Sequence, residues 1–124
     1  MTEADRRQYP RFPMRLLLSY RIANTTKLGK SLTRDIGGVG VRFIAEHPLE
    51  VGTQLEVVLR LLSREEPIRF VGRVIWSKPR GQKDKAIAGQ EAEVGVEFMQ
   101  IDPKDRALVL QEGALYGLPP EETG

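Results

Sequence analysis

Residues 14–22 read Met14-Arg15-Leu16-Leu17-Leu18-Ser19-Tyr20-Arg21-Ile22, and their alternation decides the fold. Met14, Leu16, Leu18, Tyr20 and Ile22 are apolar at every second position, with Arg15, Ser19 and Arg21 between them. Strand side chains point alternately to opposite faces, so this is a strand with one face in a core and the other in water. The pattern recurs. Val39, Val41, Phe43 and Ala45 form a second run, with Arg42 and Glu46 facing away. Leu55, Val57, Leu59 and Leu61 form a third, and Ile68, Phe70, Val74 and Trp76 a fourth, opposite Arg69 and Arg73. Val94, Val96 and Phe98 form a fifth. Residues 28–36 are a weaker strand, with Leu28, Leu32 and Ile36 expected on one side. Gly72 marks a bend or a crowded spot within its run.

The breaks between runs suit antiparallel pairing. Asn24-Thr25-Thr26, His47-Pro48 and Val51-Gly52-Thr53 are short turn signals, and no segment among the strands reads as a crossover helix. Residues 77–90, with Pro79, Gly81 and Gly89, read as a long exposed loop. Asp102-Pro103 then offers an N-cap followed by proline at the first helical position. Ala107, Leu108, Val109, Leu110, Ala114, Leu115 and Leu118 give a roughly helical apolar stripe, ended by Gly117 and Pro119-Pro120. Gly113 inside that helix weakens it by about 1 kcal/mol relative to alanine. The expected fold is mainly β: a six-stranded antiparallel β-barrel with a C-terminal α-helix. The expected division is an N-terminal arm over residues 1–13, barrel and helix over 14–118, and a tail over 119–124.

Composition narrows the function. The chain has 124 residues, 40% hydrophobic and 29% charged, which suits one soluble domain. There is no Cys and only one His, so thiolate chemistry and disulfides are excluded, and His47 reads as an exposed loop residue. No metal site, cofactor or catalytic residue is expected. Glu65-Glu66 and Glu91/Glu93 fall in apparent loops or loop edges, and no serine has a nucleophile motif with a histidine partner. The longest apolar runs fall far short of the roughly 20 residues of a spanning helix. The N-terminus carries no apolar signal segment, so the expected setting is the cytoplasm, with no membrane insertion.

The net charge of +2 is unevenly placed. Residues 1–21 hold five arginines against Glu3 and Asp5, and the rest of the chain is close to neutral. Guanidinium forks suit phosphate and guanine edges, so the arm favours a compact anionic partner over long duplex DNA.

Two segments carry the specific signal. Arg6-Arg7-Gln8-Tyr9-Pro10-Arg11 places Arg7 and Arg11 in an Arg-x-x-x-Arg spacing. After one strand, Asp35-Ile36-Gly37-Gly38-Val39-Gly40 is close to [Asp/Asn]-x-Ser-x-x-Gly. Their order and separation resemble the PilZ domain, a bacterial receptor module for cyclic di-GMP. Gly40-Val41-Arg42-Phe43, Gly72-Arg73-Val74 and Val94-Gly95-Val96-Glu97-Phe98 extend the resemblance over about residues 6–117.

The resemblance implies a receptor or adaptor that binds cyclic di-GMP and acts on a protein partner in trans, in motility or biofilm signalling. It implies ligand contacts from Arg6, Arg7, Arg11, Asp35, Gly37, Gly38 and Gly40, with Arg42 and Gly95 beside them. Arg6 precedes the motif, where the family's residue influences whether one or two ligand molecules bind. The chemistry agrees: arginines can clamp phosphates and stack on bases, Asp35 can accept guanine N–H bonds, and glycines permit a sharp turn and close approach. Gly37 stands at the family's serine position. If that hydroxyl touches the ligand, its loss costs roughly 0.5–1.5 kcal/mol, and Gly37→Ser strengthens binding. Trp76 is assigned to the core or the barrel rim. An alternative is a PilZ-like interaction adaptor, for a type IV pilus or motility, that binds no cyclic di-GMP. A single-stranded nucleic-acid barrel ranks last, because aromatics are 6% and sit mostly at core-phase positions; no DNA or RNA is expected.

Overall fold

The computed structural model describes residues 10–80 and 91–118. Seven strands and one helix follow in order: β1 Arg11–Pro13, β2 Leu17–Ile22, β3 Leu28–Gly37, β4 Gly40–Ala45, β5 Gln54–Leu59, β6 Ile68–Pro79, β7 Ala92–Gln100 and α1 Pro103–Tyr116. All pairings are antiparallel. The sheet runs β1-β3-β2-β5-β6-β7-β4, and β4 pairs back to β3, closing a six-stranded barrel with β1 as an added strand. The five clear alternating runs supply its core, from Leu16 and Leu18 through Phe43, Val57 and Phe70 to Val94 and Val96.

The first run is interrupted. β1 and β2 both lie along β3, separated by Met14–Leu16, which keeps the inward phase without regular ladder pairing. Buried Thr33 fills the gap: its hydroxyl accepts from Leu16 N–H at 2.8 Å and donates to the Met14 carbonyl at 2.7 Å. A bulge at Arg34 shifts the β3 register beside it. Thr33→Val keeps the shape but orphans both backbone groups. It should lower unfolding stability by about 1–3 kcal/mol in a denaturant titration.

That bulge corrects the expected β3 face. Leu28 and Leu32 are exposed, while Gly29, Thr33 and Ile36 face inward. The Tyr20 ring occupies the space where a side chain at residue 29 would stand, with Cζ 2.3 Å from an ideal Cβ. Burial, and secondarily the Glu46 carboxylate, pushes the Tyr20 pKa up, so the phenol stays neutral. A further correction lies nearby. Ser77, Lys78 and Pro79, expected in the loop over 77–90, extend β6 and pair with residues 92–94; residues 81–90 lie outside the described residues. Gly72 is crowded as expected: a Cβ there would meet Val96 Cγ1 at 2.4 Å.

The helix starts as read, with the Asp102 side chain accepting from Lys104 N–H and Pro103 in the first turn. Its packing face differs. Val109, Glu112 and Gly113 are buried, whereas Leu115 and Leu118 are exposed. The aromatic ring of Phe12, on β1, lies against Gly113, 2.2 Å from an ideal Cβ. Gly113 is therefore a packing requirement rather than a weakness. Gly113→Ala should destabilise by about 1–3 kcal/mol, because overpacking at this contact outweighs the gain in helix propensity; a thermal melt reads it.

Candidate functional site

The motif residues converge on the outer face of β3, β4, β7 and β6. Antiparallel register sets them in one row: Asp35 opposite Arg42, Arg42 opposite Gly95, and Gly95 opposite Trp76. A second row sets Arg11 opposite Gly37 and, on the neighbouring strands, Gly40 opposite Glu97. Between them lies a cleft of about 130 Å³, lined by Arg11, Asp35, Gly37, Gly40, Arg42, Trp76, Gly95 and Glu97 among others.

Asp35 is the hinge of its electrostatics. Its side chain is only 3% exposed, and Oδ2 receives Arg11 at 3.0 Å and Arg42 at 2.7 Å. Arg42 reaches on to Glu93 Oε2 at 2.7 Å, so four charges form one chain from β1 to β7. A carboxylate this buried is tolerable only when paired. The Arg42 Nε–H is buried and finds no acceptor among the described residues, an open donor at the cleft wall. Arg73 pairs with Glu97 at 2.7 Å on the far rim.

The glycines act through size. The turn from β3 to β4 spans only residues 38 and 39, and none of Gly37, Gly38 and Gly40 has a left-handed φ, so close approach is what selects Gly37 and Gly40. A Cβ at Gly40 would lie 2.0 Å from the Val96 carbonyl oxygen. At Gly37 it would lie 2.8 Å from the Pro10 carbonyl oxygen, so a serine there must displace the backbone leading into Arg11. The expected simple gain from Gly37→Ser does not fit this geometry. Gly38 is buried but absent from the cleft wall.

Trp76, expected in the core or at the barrel rim, stands on the outer face at the cleft. A bulge between Val74 and Trp76 turns its side chain to the outer face, where the indole covers Gly95 and lines the cleft. Gly95 thus provides close packing beside the site. Glu93, expected at a loop edge, lies in β7, and Glu93, Gly95 and Glu97 are the outward set complementary to Val94 and Val96. That alternation was the signal available for them. No sequence signal marked the bulge. Arg6 and Arg7 lie outside the described residues. Arg11 is placed in β1, not on a free lead-in, with its side chain half-exposed.

A larger hollow of about 750 Å³ lies on the outer face of β2, β3, β5 and β6, by Ser19, Lys30, Glu56 and Arg69. No motif residue among those described lines it. Convergent charges from β1, β3, β4 and β7 mark the smaller cleft as the candidate site.

The PilZ domain profile matches residues 5–112 of the sequence, and the chain belongs to that family. No curated protein matches it. Among solved structures, the fold is similar to the Bacillus subtilis inhibitor of motility MotI/DgrA, at 17% identity and a TM-score of 0.68. That match covers 87% of this chain and 49% of the other, so the chain spans about half of that protein. It is also similar to the PilZ domain of YcgR from Escherichia coli, solved with c-di-GMP, at 14% identity and a TM-score of 0.64. There the coverage is 86% of this chain and 87% of the other.

Proposed function

We propose that this chain is a cyclic di-GMP receptor that passes the ligand signal to a protein partner. The observation that carries the reading is the buried Asp35 held by Arg11 and Arg42 beside the floor of Gly37, Gly40 and Gly95. Guanine presents N1–H and N2–H side by side, a match for a carboxylate. Both arginine contacts fall on Asp35 Oδ2, so a guanine edge takes the place of Arg11, which swings to a phosphate. Arg42 keeps Asp35 partly neutralised during the exchange.

Magnitudes argue for an additional wall. Pockets that enclose a ligand usually measure about 300–1,000 Å³, whereas this cleft has about 130 Å³. A cyclic dinucleotide therefore lies across its mouth. Among the cleft-lining residues, Arg11 and Arg42 balance Asp35 and Glu97, leaving no excess charge for two phosphates. Arg6 and Arg7 supply that excess in this proposal, closing over the ligand from the arm. The ordering of the arm is the change a partner reads. The family, and a structural neighbour that inhibits motility, support motility as the regulated process. The site carries no catalytic step.

Trp76 is the only tryptophan, and it stands at the cleft. Titrating cyclic di-GMP should change its emission saturably, with cyclic di-AMP far less effective. Unchanged emission throughout a titration to millimolar ligand would count against this site. One observation favours a second reading, the ligand-free adaptor: the serine position is Gly37, and the Pro10 carbonyl leaves no room for a side chain.

A further inference from the structure

A second groove, of about 460 Å³, runs between the C-terminal end of α1 and the barrel. Arg15, Arg34, Arg42, Leu62, Tyr116 and Leu118 shape it, and no carboxylate among the described residues lines it. Arg42 is committed to Asp35 and Glu93. Arg15 and Arg34 have no ion pair or hydrogen-bonded side-chain partner among the described residues, whereas Arg11, Arg21, Arg64 and Arg73 each hold a carboxylate. Large apolar side chains are exposed around the same groove: Leu62 is 67% exposed, Leu118 65% and Tyr116 53%. Leu17 and Leu32, directly paired across β2 and β3, are exposed as well.

The walls are fixed. Glu112 of α1 accepts from Leu62 N–H and from the Ser63 hydroxyl, tying the segment after β5 to the helix. Leu118 N–H donates to the Pro13 carbonyl at 3.1 Å, tying the helix end to β1. The β3 bulge presents Arg34 next to Asp35. A stiff groove with apolar sides and two uncompensated guanidiniums complements one kind of surface: apolar anchors flanked by carboxylates.

We infer that this groove docks an acidic, amphipathic segment of a partner protein, with Arg15 and Arg34 pairing its carboxylates and Leu62, Tyr116 and Leu118 taking its apolar anchor. The inference goes beyond the cyclic di-GMP reading and stands without it. Arg42 lines both this groove and the Asp35 cleft, so the two sites share a wall.

Panning a random-peptide display library on the immobilised chain tests it, followed by titration of a labelled enriched peptide. Enrichment of sequences combining several Asp or Glu with Leu or an aromatic residue is expected. The labelled peptide should lose at least about tenfold in affinity for Arg15→Glu/Arg34→Glu and keep it for Arg69→Glu, on the other hollow. Leu118→Ser, at an exposed position, should also weaken it and serves if the double variant melts early. No enrichment, uncharged or basic winners, or equal binding to every variant would overturn the inference. So would displacement of the peptide by inorganic triphosphate at matched ionic strength, which would make the groove a simple anion site.

Discussion

Arg11→Ala should weaken cyclic di-GMP binding by about a hundredfold while barely changing stability. Removing one partner of a desolvated charge pair costs about 2–5 kcal/mol, and a hundredfold is about 2.8 kcal/mol. In the ligand-free chain the same side chain is 52% exposed, and its bond to Asp35 is backed by Arg42. A half-exposed ion pair contributes less than about 1 kcal/mol to folding. The two effects separate: calorimetric titration should show the affinity loss, and a melt of the same sample should move little. Unchanged affinity would remove Arg11 from the site. A collapse of the melt instead would make the Arg11–Asp35 pair structural.

Glu112→Ala should be the most destabilising of the substitutions considered for this chain, at about 3 kcal/mol. Glu112 is fully buried in α1, and its carboxylate receives Leu62 N–H, Ser63 N–H at 3.3 Å and the Ser63 hydroxyl at 2.6 Å. Alanine removes the acceptor that all three donors share and leaves a cavity where the buried carboxylate stood, beneath the helix. The melting temperature should fall by roughly 10 °C. Glu112→Gln keeps one acceptor oxygen and should lose less than half as much. Equal melting of Glu112→Ala and the parent chain would show that water replaces the carboxylate without cost.

The fold was legible because alternation is a local property, and five runs of it outline a barrel whatever their order. Order and closure came from pairing, which no single run encodes. The misread positions share a physical cause. At Arg34 and next to Trp76 a bulge adds a residue to one strand, and every side chain beyond it changes face. Leu28 and Leu32, expected on one side with Ile36, are therefore split from it, and Trp76, expected in the core or at the rim, stands on the cleft. Gly113 looks like a helix weakener in sequence, and no sequence signal marks Glu112. Their roles depend on residues 62–63 and on Phe12, both remote along the chain.

The candidate site was legible as a set of residue types: Arg11, Asp35, Gly37, Gly40, Arg42 and Gly95 all line one cleft. Its wiring was not. That Arg42 would bridge Asp35 to Glu93, and that the Pro10 carbonyl would crowd residue 37, are facts of register and approach.

Calorimetric titration of the purified chain with cyclic di-GMP, against cyclic di-AMP and GMP, tests the receptor proposal most directly. A receptor gives saturable, guanine-selective heat whose molar ratio reports one bound molecule or a stacked pair, together with a rise in melting temperature. No heat and no thermal stabilisation at millimolar ligand would contradict it, and leave a PilZ-family adaptor that works through its protein partner alone.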